Sequence, residues 1–272
     1  MLQKNESRIT LYTHPASPYA KRVELALVEA GVAFDTHIID LFVPREDWYT
    51  REVNPCGKIP AISYSSHPTS GSLPSPVSKP PSPTGTQCSM PPPNSFHLAE
   101  STVILTFLAD LYPQLLPITP TDRARAQFFV HTVEHRVVPT WFGVVATGDV
   151  ELEALVDAMK DAQDLLPEPS QARNEATGYA AGRWSIADAT FMPLLYFVEL
   201  YLRNDLCAHA VGKGRAAWVE MFGSETERFA KLRAYFERVK ARKSWSLMTD
   251  ETWMLEFLPQ FMAFYGIKRR EA

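Results

Sequence analysis

From Thr121 to Ala272 the chain carries helical periodicity and no strand pattern, whereas the residues before Leu111 alternate between strand and helix patterns. That change of character excludes one uniform architecture, because mixed α/β layers and helix-on-helix layers need different hydrophobic periods. Prolines at 113, 117 and 120 mark the join. At 272 residues the chain is long enough to give each part its own core. We therefore expect an α/β domain over residues 1–113, followed by an all-α domain over 121–272.

Within the first part, Arg8 to Thr13 reads as a short strand. Tyr19 to Ala30 reads as a helix, with Val23, Ala26, Leu27 and Ala30 at helical spacing and Gly31 just past its end. Ala33 to Ile39, Pro60 to Tyr64 and Phe96 to Leu98 read as strands, Trp48 to Val53 as a short irregular piece, and Glu100 to Leu111 as the closing helix. Residues 66–95 are rich in Ser, Pro, Thr and Gly and cannot bury enough apolar surface to offset ordering entropy. We expect a surface loop inserted in the first domain. In the second part, helices are expected at Asp122 to Val138, Glu151 to Leu166, Ile186 to Arg203, Glu225 to Arg242 and Glu251 to Phe264.

The balance of 27 basic and 31 acidic side chains gives a net charge of -4, so no global basic field draws the chain onto nucleic acid or anionic lipid. The longest apolar segment, Thr190 to Leu202, is interrupted by Pro193 and Glu199 and falls short of the ~20 residues that span a bilayer. Cys56, Cys88 and Cys207 are too few and too scattered for a disulfide framework or a metal cluster. With a polar Met1 to Thr10, a cytoplasmic protein without metal or membrane partner is expected.

Four groups of residues can carry chemistry. Ser17-Pro18 lies between a strand and a helix, where serine caps and proline fits the first helical position. The same N-terminus, with its free N–H groups and partial positive charge, can hold a thiolate. Asn54 to Pro60 contains Gly57 for a tight turn and a proline opening a strand. It reads either as a plain turn or as an edge onto which an extended peptide adds. Glu100-Ser101 reads either as an ordinary acidic helix start or as a grip on an end group bearing both charges. The aromatic stripe Trp253, Phe257, Phe261 and Tyr265 serves as core packing or as a pocket wall. Ser185 to Asp188 reads as a structural capping box.

Taken in chain order, Leu11 to Leu27, Asn54 to Ala61, Leu98 to Ser101 and Trp184 to Asp188 resemble the glutathione transferase family, and most the omega class in its fungal form. The resemblance implies a thioredoxin-like first domain, an all-helical second domain and a cytosolic homodimer. It implies that Pro60 is cis, that Ile59 pairs its backbone with the cysteinyl unit of glutathione, and that Glu100 and Ser101 grip the γ-glutamyl end. Arg45 and Lys58 match groups that face the glycyl carboxylate. The helical domain would contribute a hydrophobic pocket for the second substrate, with Trp141 and Phe142 as candidates. The omega pattern carries cysteine where this chain has Ser17. A hydroxyl cannot form a mixed disulfide. Conjugation to small hydrophobic or aromatic electrophiles, or peroxide reduction, is therefore expected in place of thiol transfer. The alternative is a ligandin-like protein that binds aromatic or polyphenolic compounds without turnover.

Overall fold

The computed structural model describes residues 7–66, 91, 94–168, 177–224 and 227–268. The expected loop over 66–95 lies almost wholly outside the described residues. The chain forms two compact units, Met1–Leu115 with Lys243–Asp250, and Leu116–Arg242 with Glu251–Ala272.

The first unit is built on a four-stranded sheet in the order β2-β1-β3-β4. Its strands are β1 (Arg8–Thr13), β2 (Asp35–Ile38), β3 (Ala61–Ser65) and β4 (Phe96–Ala99). β1 runs parallel to β2 and antiparallel to β3, and β3 runs antiparallel to β4. This is the mixed sheet of a thioredoxin-like domain. Helix α1 (Pro18–Ala30) follows β1, and α2 (Ser101–Leu111) follows β4. Strand alternation sends Ile9 and Leu11 to one face of the sheet and Tyr12 to the other. Tyr12 there joins Tyr49, Val53, Ile39 and Ala61 in a buried cluster. The irregular piece expected at 48–53 is a single wide turn, Tyr49–Val53, that lays Tyr49 against Tyr12 at 5.4 Å between ring centroids.

The second unit contains α3 (Pro120–Thr132), α4 (Val138–Phe142), α5 (Leu152–Asp164), α6 (Ile186–Arg203), α7 (Lys213–Phe222), α8 (Ala230–Lys240) and α10 (Glu251–Phe264). The short α9 (Lys243–Ser246) belongs to the first unit. α6 is buried from Ile186 through Leu202, as its apolar run requires. Phe129 meets Phe191 edge-on at 5.3 Å, and Phe191 stacks on Tyr235. Ser185 and Asp188 form the expected capping box. Asp188 also accepts from the Ala180 N–H and the Tyr235 hydroxyl.

Three sequence readings need correction. The helix expected to end at Val138 continues to Thr147 through α4 and two wide turns, Val133–Val137 and Gly143–Thr147. Pro139 has no N–H to give, and a wide turn absorbs the lost bond without ending the helix. Helix α7 lies outside every expected helix; it starts behind Gly212 with no side-chain cap to announce it. The helix expected from Glu225 begins, among the described residues, at Ala230.

Candidate functional site

The registers bring the separate motifs to one end of the sheet. β1 ends at Thr13, and its partner β3 starts at Ala61, opposite Tyr12. β4 ends at Ala99, opposite that same Ala61. The loops that leave these three ends carry Ser17, Ile59-Pro60 and Glu100-Ser101. β2 runs parallel to β1, so its exit toward Asp40 and Arg45 lies at this end too, with the Ile39 N–H on the Thr13 carbonyl at 2.9 Å.

Ser17 is the N-cap of α1, in extended backbone geometry, and its Oγ accepts from the Ala20 N–H at 3.2 Å. The cap uses a lone pair and leaves the hydroxyl proton to donate elsewhere. Pro18 fills the first helical position, where its missing N–H leaves no gap. Three residues earlier, the buried His14 accepts from the Ala16 N–H at Nδ1, 3.2 Å away. Burial lowers its pKa to about 4, with Lys21 and Arg45 pushing the same way against Asp40. His14 therefore stays neutral next to Ser17 at ordinary pH. One turn into α1, the buried Lys21 ammonium donates to Glu24 at 3.1 Å and to the Met248 carbonyl.

The Ile59–Pro60 peptide bond is cis. Among the described residues, no hydrogen bond engages the Ile59 backbone. The carbonyl of Lys58 next to it is held by the Tyr49 hydroxyl at 2.7 Å and the Asn54 amide at 2.8 Å. Arg45 donates to the carbonyls of Gly57 at 2.9 Å, Asp40 at 2.5 Å and Val43 at 3.2 Å. Its guanidinium thus pins the turn before Ile59 to the loop after β2. Gly57 has φ +64, and a Cβ there would stand 3.3 Å from the Arg45 side chain. The turn thus combines glycine's left-handed backbone freedom with close side-chain approach. Lys58 and Cys56 are exposed beside it.

Glu100 rather than Ser101 occupies the N-cap position of α2, with φ 69 and no side-chain cap. Its side chain is exposed. Ser101, the first helical residue, is buried, and its Oγ accepts from Arg22 at 3.2 Å. Arg22 is itself 1% exposed and lies over the Tyr19 ring. Sequence reading missed Arg22, because a cation inside a helix reads as a solvated face until tertiary packing is known. In the second unit, Trp141 is buried and meets Tyr201 edge-on at 6.3 Å, while Phe142 is half exposed. The stripe on α10 is a ladder of rings, with centroids 4.8 Å apart for Trp253 and Phe257 and 4.6 Å for Phe261 and Tyr265.

Fold and site together define a thioredoxin-like domain with a helix N-terminus and a free backbone segment at one end of its sheet, accompanied by a helical unit. Known proteins share this combination. The family pattern "Glutathione S-transferase, N-terminal domain" matches residues 16–111. Glutathione transferase Omega 1C from Trametes versicolor is 32% identical, with a TM-score of 0.78 over 98% of this chain and 100% of that one. Omega 2S from the same fungus, solved with 2,4-dihydroxybenzophenone, is 29% identical, with a TM-score of 0.76 over 94% of this chain and 99% of that one. A stringent starvation protein A homolog of Coxiella burnetii is 24% identical over 70% of this chain and 76% of its own. The chain belongs to the glutathione transferase family.

Proposed function

We propose that the chain is an omega-like transferase that binds glutathione in its first unit and joins it to small hydrophobic or aromatic electrophiles. The observation that carries this reading is the capping geometry of Ser17. Its oxygen is engaged by the helix while its proton is free, at the helix end where backbone N–H groups converge. A thiol with pKa near 8.5 needs a shift of about two units to ionise at pH 7, or ~2.7 kcal/mol. One charge-assisted hydrogen bond, roughly 1.5–3 kcal/mol, together with the helix dipole supplies it. Ile59 offers the backbone pair for the cysteinyl unit, and Glu100 and Ser101 meet the γ-glutamyl end. Lys58 and Arg45 supply positive charge toward the glycyl carboxylate. Trp141 and Phe142 are assigned to the second-substrate pocket. The same site supports glutathione-dependent peroxide reduction, and a serine leaves thiol transfer without its nucleophile. We assign the protein to the cytoplasm as a homodimer acting on xenobiotics.

The test is Ser17→Ala. Conjugation of a model electrophile should fall at least about tenfold, the loss of roughly 1.4 kcal/mol. Unchanged turnover would move the chemistry elsewhere. A second reading, storage of aromatic or polyphenolic ligands, is favoured by the ring ladder on α10 and by the dihydroxybenzophenone held by the fungal neighbour. Tight binding of that compound with no measurable conjugation would favour storage.

A further inference from the structure

We infer that His131 and His135 form a binding site for one divalent transition cation, apart from the glutathione chemistry. His131 lies in the last turn of α3, and His135 lies in the wide turn Val133–Val137 that continues it. Residues four apart share a helix face. Both side chains are exposed, so a hydrated ion reaches them without any opening of the fold. Their rings stack with centroids 4.0 Å apart and planes inclined by 27°.

The hydrogen bonding selects a ligand tautomer. His135 Nδ1 lies 2.9 Å from the carbonyl oxygen of His131. A carbonyl only accepts, so Nδ1 carries the proton and Nε2 presents its lone pair. An N–H to backbone carbonyl bond of this kind is what orients metal-binding imidazoles. Here the acceptor is the main chain of the other ligand, so helix geometry itself braces the pair. Among the described residues, no hydrogen bond occupies the His131 ring nitrogens.

Metal–imidazole bonds of ~2.0–2.1 Å need the two Nε2 atoms about 3 Å apart. The stacked rings, 4.0 Å apart between centroids, must turn out of their stack about their exposed side-chain bonds for both in-plane Nε2 lone pairs to meet one ion. Among the described residues no group of three metal-binding side chains occurs. The cation is therefore held by two imidazoles, with water completing its shell. Imidazole favours Cu²⁺, Ni²⁺ and Zn²⁺ over Mg²⁺ and Ca²⁺, with Cu²⁺ tightest.

The experiment is calorimetric titration of untagged full-length protein with Cu²⁺, Ni²⁺, Zn²⁺ and Mg²⁺ in the absence of glutathione, paired with electron paramagnetic resonance of the Cu²⁺ complex. His131→Gln, His135→Gln and the double variant are measured alongside, with circular dichroism and glutathione binding as controls. We expect Cu²⁺ to bind most tightly and Mg²⁺ not at all. Each single variant should weaken Cu²⁺ binding about tenfold or more, and nitrogen hyperfine structure should fade in the double variant. Glutathione affinity should stay at the level of the unaltered protein. Cu²⁺ affinity and spectrum unchanged in the double variant, or Mg²⁺ binding as well as Cu²⁺, would overturn the site.

Discussion

Arg22 on α1 donates from Nη1 to Ser101 Oγ on α2 at 3.2 Å, joining the helix that begins at Ser17 to the one that begins beside Glu100. A buried hydrogen bond from a cation contributes about 1.5–3 kcal/mol. Ser101→Ala should destabilise the first unit by roughly that amount. Under the proposed function, which sets the same hydroxyl against the γ-glutamyl end, it should also weaken glutathione binding. Urea unfolding and calorimetry with glutathione read the two effects. Stability unchanged by the substitution would show that the contact carries no weight.

The buried Lys21–Glu24 pair makes a second prediction. Both side chains are 3% exposed or less, and burial raises the Glu24 pKa against the pull of Lys21. Lys21→Met strands the carboxylate and should cost about 3–5 kcal/mol, while the double change Lys21→Met with Glu24→Leu should recover most of it. Chemical denaturation of both variants measures this. A double variant as unstable as the single one would contradict the pairing.

Stability against pH should reflect two opposed groups. Burial holds His14 at about 4, below its ordinary 6.5. In that interval the unfolded chain binds more protons, so this contribution is full above 6.5 and is lost as pH falls through 4. Burial raises Asp188 to about 6 from 3.8, against hydrogen bonds from Ala180, Ser185 and Tyr235. The folded chain then binds more protons, so this contribution is full below 3.8 and is lost as pH rises through 6. Each shift corresponds to roughly 3 kcal/mol. Melting temperatures between pH 4 and 6 should rise more steeply with pH in Asp188→Asn. In His14→Gln they should fall with pH. Parallel profiles for both variants and the unaltered protein would refute the assignment.

Ser17→Cys should create what the serine withholds. A thiol at the start of α1 has its pKa lowered by the helix and forms mixed disulfides. Glutathione-dependent reduction of a small disulfide should appear where the unaltered protein shows little. Continued inactivity, with glutathione still bound, would mean that the pocket no longer suits that reaction.

Local chemistry made much of this legible in the sequence. Ser17-Pro18 at a helix start, Gly31 at its end and Ser185 with Asp188 are short-range signals, and each sits where its own hydrogen bonds require. α6 and α10 carry continuous patterns and match the expected bounds. The interior cations were not legible. Lys21 and Arg22 are sequence neighbours in a helix, and only packing reveals that one meets the Met248 carbonyl and the other Ser101. The sequence places Glu100 in the helix, but its φ of 69 comes from the corner between β4 and α2 rather than from propensity. α9 escaped notice because four residues carry no period.

The chain returns to its first unit long after leaving it. Residues 243–250 pack there, where Ser244 donates to Glu29 and Met248 receives the Lys21 ammonium. During synthesis, a ribosome that has released the sheet and both its helices still holds back the carbonyl that Lys21 needs. The nascent first unit therefore waits for nearly the whole polypeptide before its first helix is fully partnered. An excised fragment ending near Leu115 would be permanently caught at that stage.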